Sequence, residues 1–219
     1  MFLKNKQKNK QKNTDYSVYI VTDRFLCPPA KMTETIQASI LGGATVIQLR
    51  EKNVDSLTFY KMAQEILEWT KKYEIPLIIN DRLDIMLASG ADGLHVGQSD
   101  LPAAVARKLI GPDKILGVSV TTIPEAKAAE ADGADYLGVG AIFSTSTKND
   151  AAFVSIQTLK EIKNAVQIPV VAIGGISKGN MARLSGTNID GVAVVSAVMG
   201  SADPEKATEE IKSAFKMIK

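Results

Sequence analysis

The segment Gly133-Ala-Asp-Tyr-Leu-Gly-Val-Gly140, GADYLGVG, decides the fold, because it joins a helix-ending glycine to a short apolar strand. Similar openings occur at Gly43-Ala-Thr-Val46 and Gly90-Ala-Asp-Gly93, and a less similar one occurs at Asn188-Ile-Asp-Gly191. The glycine is typical of a helix C-cap, and the residues that follow it begin a strand. When the apolar strands are counted along the chain, each of these openings precedes an even-numbered one. This repetition predicts a barrel built from similar units.

Short apolar runs alternate with amphipathic helical patterns along the chain. The runs are almost continuously apolar, as expected for strands that are covered on both faces in a parallel sheet. The predicted strands are Ser17–Thr22, Ala44–Leu49, Leu77–Asn80, Gly93–Val96, Ile115–Ser119, Tyr136–Val139, Val170–Ile173 and Gly191–Val195. Helical patterns include Ser56–Lys72, Pro124–Ala131, Ile156–Val166 and Pro204–Lys219. Eight strands, each followed by a helix, predict an α/β fold that closes into a single-domain (β/α)8 TIM barrel.

Composition and charge fit one barrel domain preceded by a short tail. The chain has 219 residues, and its apolar content of 45% can supply a large core. We place a Lys/Asn/Gln-rich tail at residues 1–15 and the barrel at residues 16–219. The tail carries the excess positive charge, and its composition predicts disorder, with a contact to RNA or an anionic surface as the alternative. The formal charge of +2 gives no general case for a nucleic-acid partner.

Neither a membrane span nor a disulfide framework is expected. No run approaches the roughly 18 apolar residues that a span needs, and the tail lacks the apolar core of a signal peptide. The single cysteine, Cys27, excludes an internal disulfide and fits a reducing cytoplasm. We therefore expect a cytoplasmic protein. Whether it forms homo-oligomers through its helix faces stays open.

The end of the second strand carries two cations. In barrels of this type the chemistry occurs at the C-terminal ends of the strands. The stretch Gln48-Leu-Arg-Glu-Lys52 follows that pattern, and strand alternation places Gln48, Arg50 and Lys52 on one side. An arginine fork beside a lysine ammonium suits a polyanion such as pyrophosphate. The alternative is a salt bridge at the barrel rim with Glu51 or Asp81.

The next two strand ends carry carboxylates and the only histidine. Asp81 follows strand three, Asp100 lies four residues past strand four, and His95 lies near the end of strand four. Two carboxylates on neighbouring strand ends suit Mg²⁺, although Mn²⁺ would bind them as readily. The alternative is that each aspartate caps a following helix. His95 is interpreted as a packing or supporting residue, with a ligand contact or proton transfer as the alternative.

The remaining strand ends carry groups that suit phosphate. Ser119 ends strand five, and the hydroxyl-rich stretch Thr145-Ser-Thr-Lys148 follows strand six. Gly174-Gly175 follows strand seven and Ser196 follows strand eight, where phosphate sites recur in this fold. These glycines and Ser196 suit a monophosphate, whereas the cations and carboxylates suit a diphosphate. Two anion sites indicate a transferase that joins a diphosphate donor to a phosphorylated acceptor.

At these residues the sequence resembles the thiamine-phosphate synthase family from about Tyr19 to the C-terminus. The matching motifs occur in order, each on its strand end. They are Tyr19-Ile-Val-Thr-Asp23, Gln48-Leu-Arg-Glu-Lys52, Ile79-Asn-Asp-Arg82, Gly93-Leu-His-Val-Gly-Gln98, Asp100-Leu-Pro102, Gly117-Val-Ser119, Thr145-Ser-Thr-Lys148, Ala172-Ile-Gly-Gly-Ile176 and Gly191-Val-Ala-Val-Val-Ser196. The loop after strand six departs from the family pattern, because Ala141 and Ser144 stand where prolines are usual.

The resemblance implies an activity and a set of site residues. The family joins 4-amino-2-methyl-5-hydroxymethylpyrimidine diphosphate to 4-methyl-5-(2-phosphoethyl)thiazole, releasing pyrophosphate and forming thiamine phosphate. The pyrimidine diphosphate would be bound by Gln48, Leu49, Arg50, Glu51, Lys52, Asn80, Ser119 and Lys148. Asp81 and Asp100 would hold Mg²⁺, and the thiazole phosphate would be bound by Thr145, Ser146, Thr147, Gly175, Val195 and Ser196. The catalytic set would be Arg50, Lys52, Ser119 and Lys148.

Three other functions are alternatives to this one. A thiazole tautomerase of the same lineage needs the monophosphate site and an acid–base residue, but not the whole diphosphate set. A Schiff-base aldolase needs a buried lysine within a strand, and the lysines here lie in loops or on helix faces. A non-catalytic barrel that binds phosphorylated ligands would show binding without turnover.

Overall fold

Parallel strands close into a barrel in the order of the chain. The computed structural model describes residues 14–144 and 153–219. The strands are β1 (Val18–Val21), β2 (Val46–Leu49), β3 (Leu77–Asn80), β4 (Gly93–Val96), β5 (Ile115–Val120), β6 (Tyr136–Val139), β7 (Val170–Ile173) and β8 (Gly191–Val194). Each pairs in parallel with the next, and β8 pairs with β1 to close the sheet. The predicted fold class is confirmed, and each predicted strand is found within two residues of its predicted ends.

Helices cover the outside of the barrel. They are α1 (Pro29–Leu41), α2 (Ser56–Lys72), α3 (Leu83–Ser89), α4 (Ala103–Ile110), α5 (Ile123–Ala131), α6 (Ile156–Ala165), α7 (Ser196–Met199) and α8 (Pro204–Lys216). The expectation that a helix follows every strand is wrong in one place. Between β7 and β8 the chain forms only the 3₁₀ helix Met181–Leu184. Glycine disfavours a helix by about 1 kcal/mol per residue, and this connection contains several glycines.

The barrel encloses a core of its own, separate from the layer between strands and helices. Side chains alternate along each strand, so that half of them point into the barrel. The inner cluster combines aliphatic residues with three aromatic rings, those of Tyr16, Tyr19 and Tyr136. Tyr19 and Tyr136 are almost completely buried, which brings two hydroxyl groups into the centre of the barrel. Buried hydroxyls need hydrogen-bond partners, and these two find them among the site residues.

The repeated opening before the even-numbered strands has a structural reason at the bottom of the barrel. The residue just before each even-numbered strand accepts a hydrogen bond, through its side chain, from a backbone N–H of the preceding odd-numbered strand. The donor is the first residue of β1, β3 and β7 and the second residue of β5. The backbone N–H of the same residue donates back to that odd strand. The pairs are Thr45 with Val18, Asp92 with Leu77, Asp135 with Leu116, and Asp190 with Val170. These paired bonds fix the register of neighbouring strands, and the repetition in the sequence records them.

Replacing Asp135 by Ala is expected to lower the free energy of unfolding by about 1–3 kcal/mol, because a half-buried donor loses its acceptor. Asp135 accepts from the N–H of Leu116 at 2.7 Å and pairs with Arg107. Urea denaturation followed by the fluorescence of the single tryptophan, Trp69, measures the change. Asp132→Ala, an exposed position three residues earlier, is the control. Equal urea midpoints for the two variants would contradict a stabilising role for the paired hydrogen bonds between Asp135 and Leu116.

Two sequence expectations concern the ends and surroundings of the chain. The tail predicted at residues 1–15 lies almost wholly outside the described residues, so its boundary stays a prediction. Among residues 14–144 and 153–219, no helix is both long and apolar enough to cross a membrane.

Candidate active site

The C-terminal ends of the strands surround one cavity of about 780 Å³. Side chains or backbone from all eight strands, or from the loops that follow them, line it. The predicted site residues that line it are Gln48, Arg50, Lys52, Asn80, Asp81, Asp100, Ser119, Gly175, Val195 and Ser196. The structure therefore brings together residues that lie up to about 150 positions apart in the sequence.

Among the described residues, two of the other predicted site residues, Leu49 and Glu51, do not line this cavity. The side chain of Leu49 is fully buried in the layer between strands and helices. Glu51 is also buried, and Arg24 lies against it with 3.0 Å between Nε and Oε2. Thr145, Ser146, Thr147 and Lys148 lie outside the described residues. Binding by these six residues stays a prediction.

The cations at the end of β2 are held by acidic neighbours. The N–H of Arg50 donates to the Thr22 hydroxyl at 2.9 Å, and its guanidinium lies 3.6 Å from the carboxylate of Asp23. Lys52 forms an ion pair with Asp81, which is one of the rim salt bridges weighed from the sequence. Both cations nevertheless face the cavity. A salt bridge and a place in the site are therefore compatible for Lys52.

The carboxylates of Asp81 and Asp100 lie next to each other at the cavity wall. Burial raises the pKa of Asp100, and the neighbouring Asp81 carboxylate raises it further. The hydrogen bond that Asp100 accepts from the backbone N–H of Gly97, at 2.7 Å, lowers it and opposes both effects. Asp81 has a left-handed backbone with φ of 61°, and its N–H donates to the carbonyl of His95 at 2.8 Å. Two carboxylates in contact repel each other when both are ionised.

Neither carboxylate caps a helix. Helix α3 begins after Arg82 and helix α4 begins after Pro102, and in both cases no side chain caps the first turn. The capping alternative is therefore wrong for Asp81 and Asp100. The pair fits a hard cation such as Mg²⁺, which takes one or two carboxylates and completes its shell with water and substrate phosphate. Within residues 14–144 and 153–219 no larger cluster of His, Cys, Asp or Glu side chains could hold a metal.

A glycine turn after β7 forms the opposite side of the cavity. Gly174 and Gly175 have φ values of 100° and 62°, a left-handed conformation that side chains disfavour. A Cβ at Gly175 would also overlap the carbonyl oxygen of Ser144. Asn180 holds the turn, since its Nδ2 donates to the carbonyl of Gly175 at 2.8 Å. Gly174, Gly175 and Ser196 all line the cavity, and backbone without side chains suits the close approach of a phosphate.

A chain of hydrogen bonds crosses the floor of the cavity. Gln48 Nε2 donates to the Tyr19 hydroxyl at 2.8 Å, and the hydroxyls of Tyr19 and Tyr136 lie 2.6 Å apart. The Tyr136 hydroxyl lies 2.8 Å from Nδ1 of His95, and Nε2 of His95 lies 2.8 Å from the hydroxyl of Ser119. His95 thus supports Tyr136 and Ser119 and also faces the cavity, which fits both the supporting role and the ligand contact considered from the sequence.

Sequence reasoning gave Tyr19 and Tyr136 no role. The signal that could have identified them is a tyrosine at an inward-facing position of a buried strand, because its hydroxyl needs a partner there. Both residues line the cavity, and their hydroxyl groups lie 2.6 Å apart.

Glu51→Gln is expected to change how stability depends on pH. Burial raises the pKa of Glu51 and the Arg24 guanidinium only partly opposes this. The folded state therefore keeps a proton on Glu51 to a higher pH than the unfolded state does, so this group's contribution to stability falls as pH rises. The variant lacks that contribution. The difference in unfolding free energy, parent minus variant, should decrease as the pH rises above the ordinary glutamate pKa of about 4.3. A difference independent of pH would contradict the raised pKa.

A parallel barrel whose strand ends gather cations, paired carboxylates and a glycine turn in one cavity defines a class of phosphate-handling barrel enzymes. A sequence model described as "Thiamine monophosphate synthase" matches residues 18–198. The chain belongs to the thiamine monophosphate synthase family.

Individual relatives are similar over most of their length. A thiamine-phosphate synthase of Clostridium tetani (strain Massachusetts / E88) is 57% identical over 204 residues, covering 93% of this chain and 98% of the relative. One of Clostridium botulinum (strain Eklund 17B / Type B) is 54% identical and covers 92% and 94%. The solved thiamine phosphate pyrophosphorylase from Pyrococcus furiosus is 40% identical, with a TM-score of 0.86 and coverage of 94% and 98%.

Proposed function

We propose that this barrel joins 4-amino-2-methyl-5-hydroxymethylpyrimidine diphosphate to 4-methyl-5-(2-phosphoethyl)thiazole, giving thiamine phosphate and pyrophosphate in thiamine biosynthesis. The observation that carries the proposal is that one cavity is lined both by Arg50 and Lys52 and by the glycine turn with Ser196, two groups that each suit a phosphate. An enzyme that handles one phosphate needs only one of them. Membership of the family supports the same transferase activity.

The diphosphate is proposed to lie against Arg50 and Lys52, with Asn80 and Ser119 beside it. Arg50 provides a planar fork for phosphate oxygens. Its guanidinium lies beside the carboxylate of Asp23, and its backbone N–H donates to the Thr22 hydroxyl. Lys52 is partly exposed in its pair with Asp81 and is able to exchange that carboxylate for a phosphate oxygen. Lys148 is proposed to add a further cation.

Mg²⁺ held by Asp81 and Asp100 would neutralise negative charge on the diphosphate as it leaves. Burial and the neighbouring Asp81 carboxylate both raise the pKa of Asp100, and a bound cation would offset both effects, which supports this assignment. The same oxygen ligands would accept Mn²⁺.

The thiazole phosphate is proposed to bind at the glycine turn. The backbone of Gly175, with Val195 and Ser196, provides N–H and hydroxyl donors at the cavity wall. The predicted contribution of Thr145, Ser146 and Thr147 would place further hydroxyls between the two substrates. The sequence order of these groups, after β6, β7 and β8, supports one shared binding region.

The reaction needs positioning and charge rather than a protein nucleophile. The C–O bond between the pyrimidine methylene and the diphosphate breaks, leaving a cation that the electron-rich ring stabilises. The thiazole nitrogen then supplies the electron pair for the new C–N bond. Arg50 and Lys52 act on the leaving oxygens, which carry the growing negative charge.

The test is pyrophosphate release from the pyrimidine diphosphate, with and without the thiazole phosphate, in Mg²⁺ and in EDTA. We expect release that requires both the thiazole and the metal, with thiamine phosphate formed in equal amount. Binding of the thiazole phosphate without release would refute the proposal and favour a non-catalytic barrel. Isomerisation of a thiazole carboxylate phosphate in place of release would favour the tautomerase.

The proposed partners are therefore the two small-molecule substrates, and the proposed location is the cytoplasm. The single buried cysteine, Cys27, supports a reducing compartment. Homo-oligomer formation stays open, and size-exclusion chromatography with light scattering would decide it.

A further inference from the structure

The hydrogen-bond chain on the cavity floor has a direction. Gln48, Tyr19, Tyr136, His95 and Ser119 come from five different strands and form four consecutive hydrogen bonds of 2.6–2.8 Å. The amide nitrogen of Gln48 can only donate, so the Tyr19 oxygen accepts at that end. The other end reaches Ser119, which faces the cavity.

The direction follows from counting hydrogens. Tyr19 is almost completely buried, and among the described residues its hydroxyl forms hydrogen bonds only with Gln48 and Tyr136. A buried hydroxyl hydrogen without an acceptor is costly, so Tyr19 donates to Tyr136. The hydroxyl hydrogen of Tyr136 is then directed to Nδ1 of His95, which accepts. In a neutral imidazole the hydrogen must then be on Nε2, from which it is donated to Ser119.

We propose that Tyr19 and Tyr136 are positioning residues. Because the Gln48 amide donates at one end, each tyrosine donates to the next member of the chain, and His95 is held as the Nε2–H tautomer. His95 then donates to Ser119, which leaves the Ser119 hydroxyl hydrogen directed into the cavity. Ser119 accepts from His95, so its own hydrogen is available to an acceptor on the bound donor substrate. The proposed function supplies the identity of that acceptor, an oxygen or ring nitrogen of the pyrimidine diphosphate.

Two neighbouring glycines leave space for this chain of hydrogen bonds. A Cβ at Gly117 would overlap both the Tyr136 ring and Nδ1 of His95, so only glycine leaves room for their hydrogen bond. A Cβ at Gly138 would lie 3.1 Å from Cε1 of His95, so glycine also keeps the cavity side of the imidazole open. Burial raises the pKa of both Tyr19 and Tyr136, which keeps both hydroxyls protonated and able to donate.

The test reads the tautomer directly, because the chain has one histidine. The untagged, ¹⁵N-histidine-labelled protein is studied without ligands at about pH 8, above the usual pKa of histidine. Long-range ¹H–¹⁵N spectra separate a protonated ring nitrogen from an unprotonated one. We expect Nδ1 to be unprotonated and Nε2 to carry the hydrogen. The opposite tautomer, or a doubly protonated ring, would overturn the proposal.

Two tyrosine variants test whether the chain sets the tautomer. Tyr136→Phe removes the donor to Nδ1 of His95. In this variant we expect the ¹⁵N shifts of the His95 ring to move toward the values of a mixture of both tautomers. Tyr16→Phe is the matched control, because its ring packs 4.7 Å from that of Tyr136 and its hydroxyl is outside the chain. We expect the control to keep the Nε2–H signals. An unchanged tautomer in Tyr136→Phe would overturn the proposal.

Turnover supplies a separate readout. We expect Tyr136→Phe to lower kcat about tenfold, with less effect on KM for the pyrimidine diphosphate, since one directed hydrogen bond is lost. The spectra need no turnover, so a failure of the proposed function would leave the tautomer result standing. Conversely, a parent enzyme that turns over normally with an Nδ1–H tautomer would refute only the positioning role.

Discussion

Asp81→Asn is expected to lower kcat/KM for thiamine phosphate formation by about 100-fold or more, measured in saturating Mg²⁺. The variant loses one of two carboxylates proposed to hold the metal, and the stabilisation of charge that a metal provides amounts to several kcal/mol. Asparagine is well suited to the left-handed backbone at this position, where φ is 61°, so the fold should be retained. The variant should also need a higher Mg²⁺ concentration for half-maximal rate.

Asp84→Asn is the matched control for this loss. Asp84 lies three residues later, is well exposed, and pairs with Arg82 rather than with Lys52. Removing its charge should leave kcat/KM within about twofold, as expected for a surface ion pair. Equal activity of the two variants, with an unchanged response to Mg²⁺, would refute the assignment of Asp81 as a metal ligand.

Gly191→Ala is expected to have the largest effect on stability, about 3 kcal/mol. A Cβ at this position would overlap the carbonyl oxygen of Tyr16, and backbone cannot move aside as a flexible side chain can. The contact lies where β8 meets β1, so relief of the overlap would separate the strands that close the barrel. The urea midpoint, followed by Trp69 fluorescence, should fall by roughly 1 M.

Gly179→Ala provides the comparison for that substitution. Gly179 lies in the connection between β7 and β8, and a Cβ there would meet nothing closer than 3.9 Å. Its urea midpoint should stay close to that of the parent protein or rise slightly, because alanine restricts the unfolded chain. A midpoint for Gly191→Ala that matches this control would show that the closing strands tolerate the extra methyl group.

The strands could be predicted because their signal is local. A strand covered on both faces is a short run of apolar residues, and the glycines and prolines around it mark its ends. The connection after β7 was predicted less well. The expectation that a helix follows every strand does not hold for this glycine-rich segment. Local composition decided against a helix there.

The candidate site was predictable only in part. Arg50, Asp81 and Ser196 were found because strand ends in a barrel converge, which follows once the fold is known. Whether Asp81 capped a helix could not be decided, since capping and metal binding favour the same residue type. The burial of Glu51 beside Arg24 was also out of reach, because their contact joins the loops after two strands.

The sequence by itself determined the barrel, the order of its strands and the set of polar residues at its mouth, because apolar periodicity and strand-end position are properties of short segments. Only the tertiary structure decided which side chains meet. The contact of Asp81 with Asp100, and the chain from Gln48 through Tyr19 and Tyr136 to His95, join different strands. Such contacts depend on register and side-chain direction across the closed sheet, which no local pattern encodes.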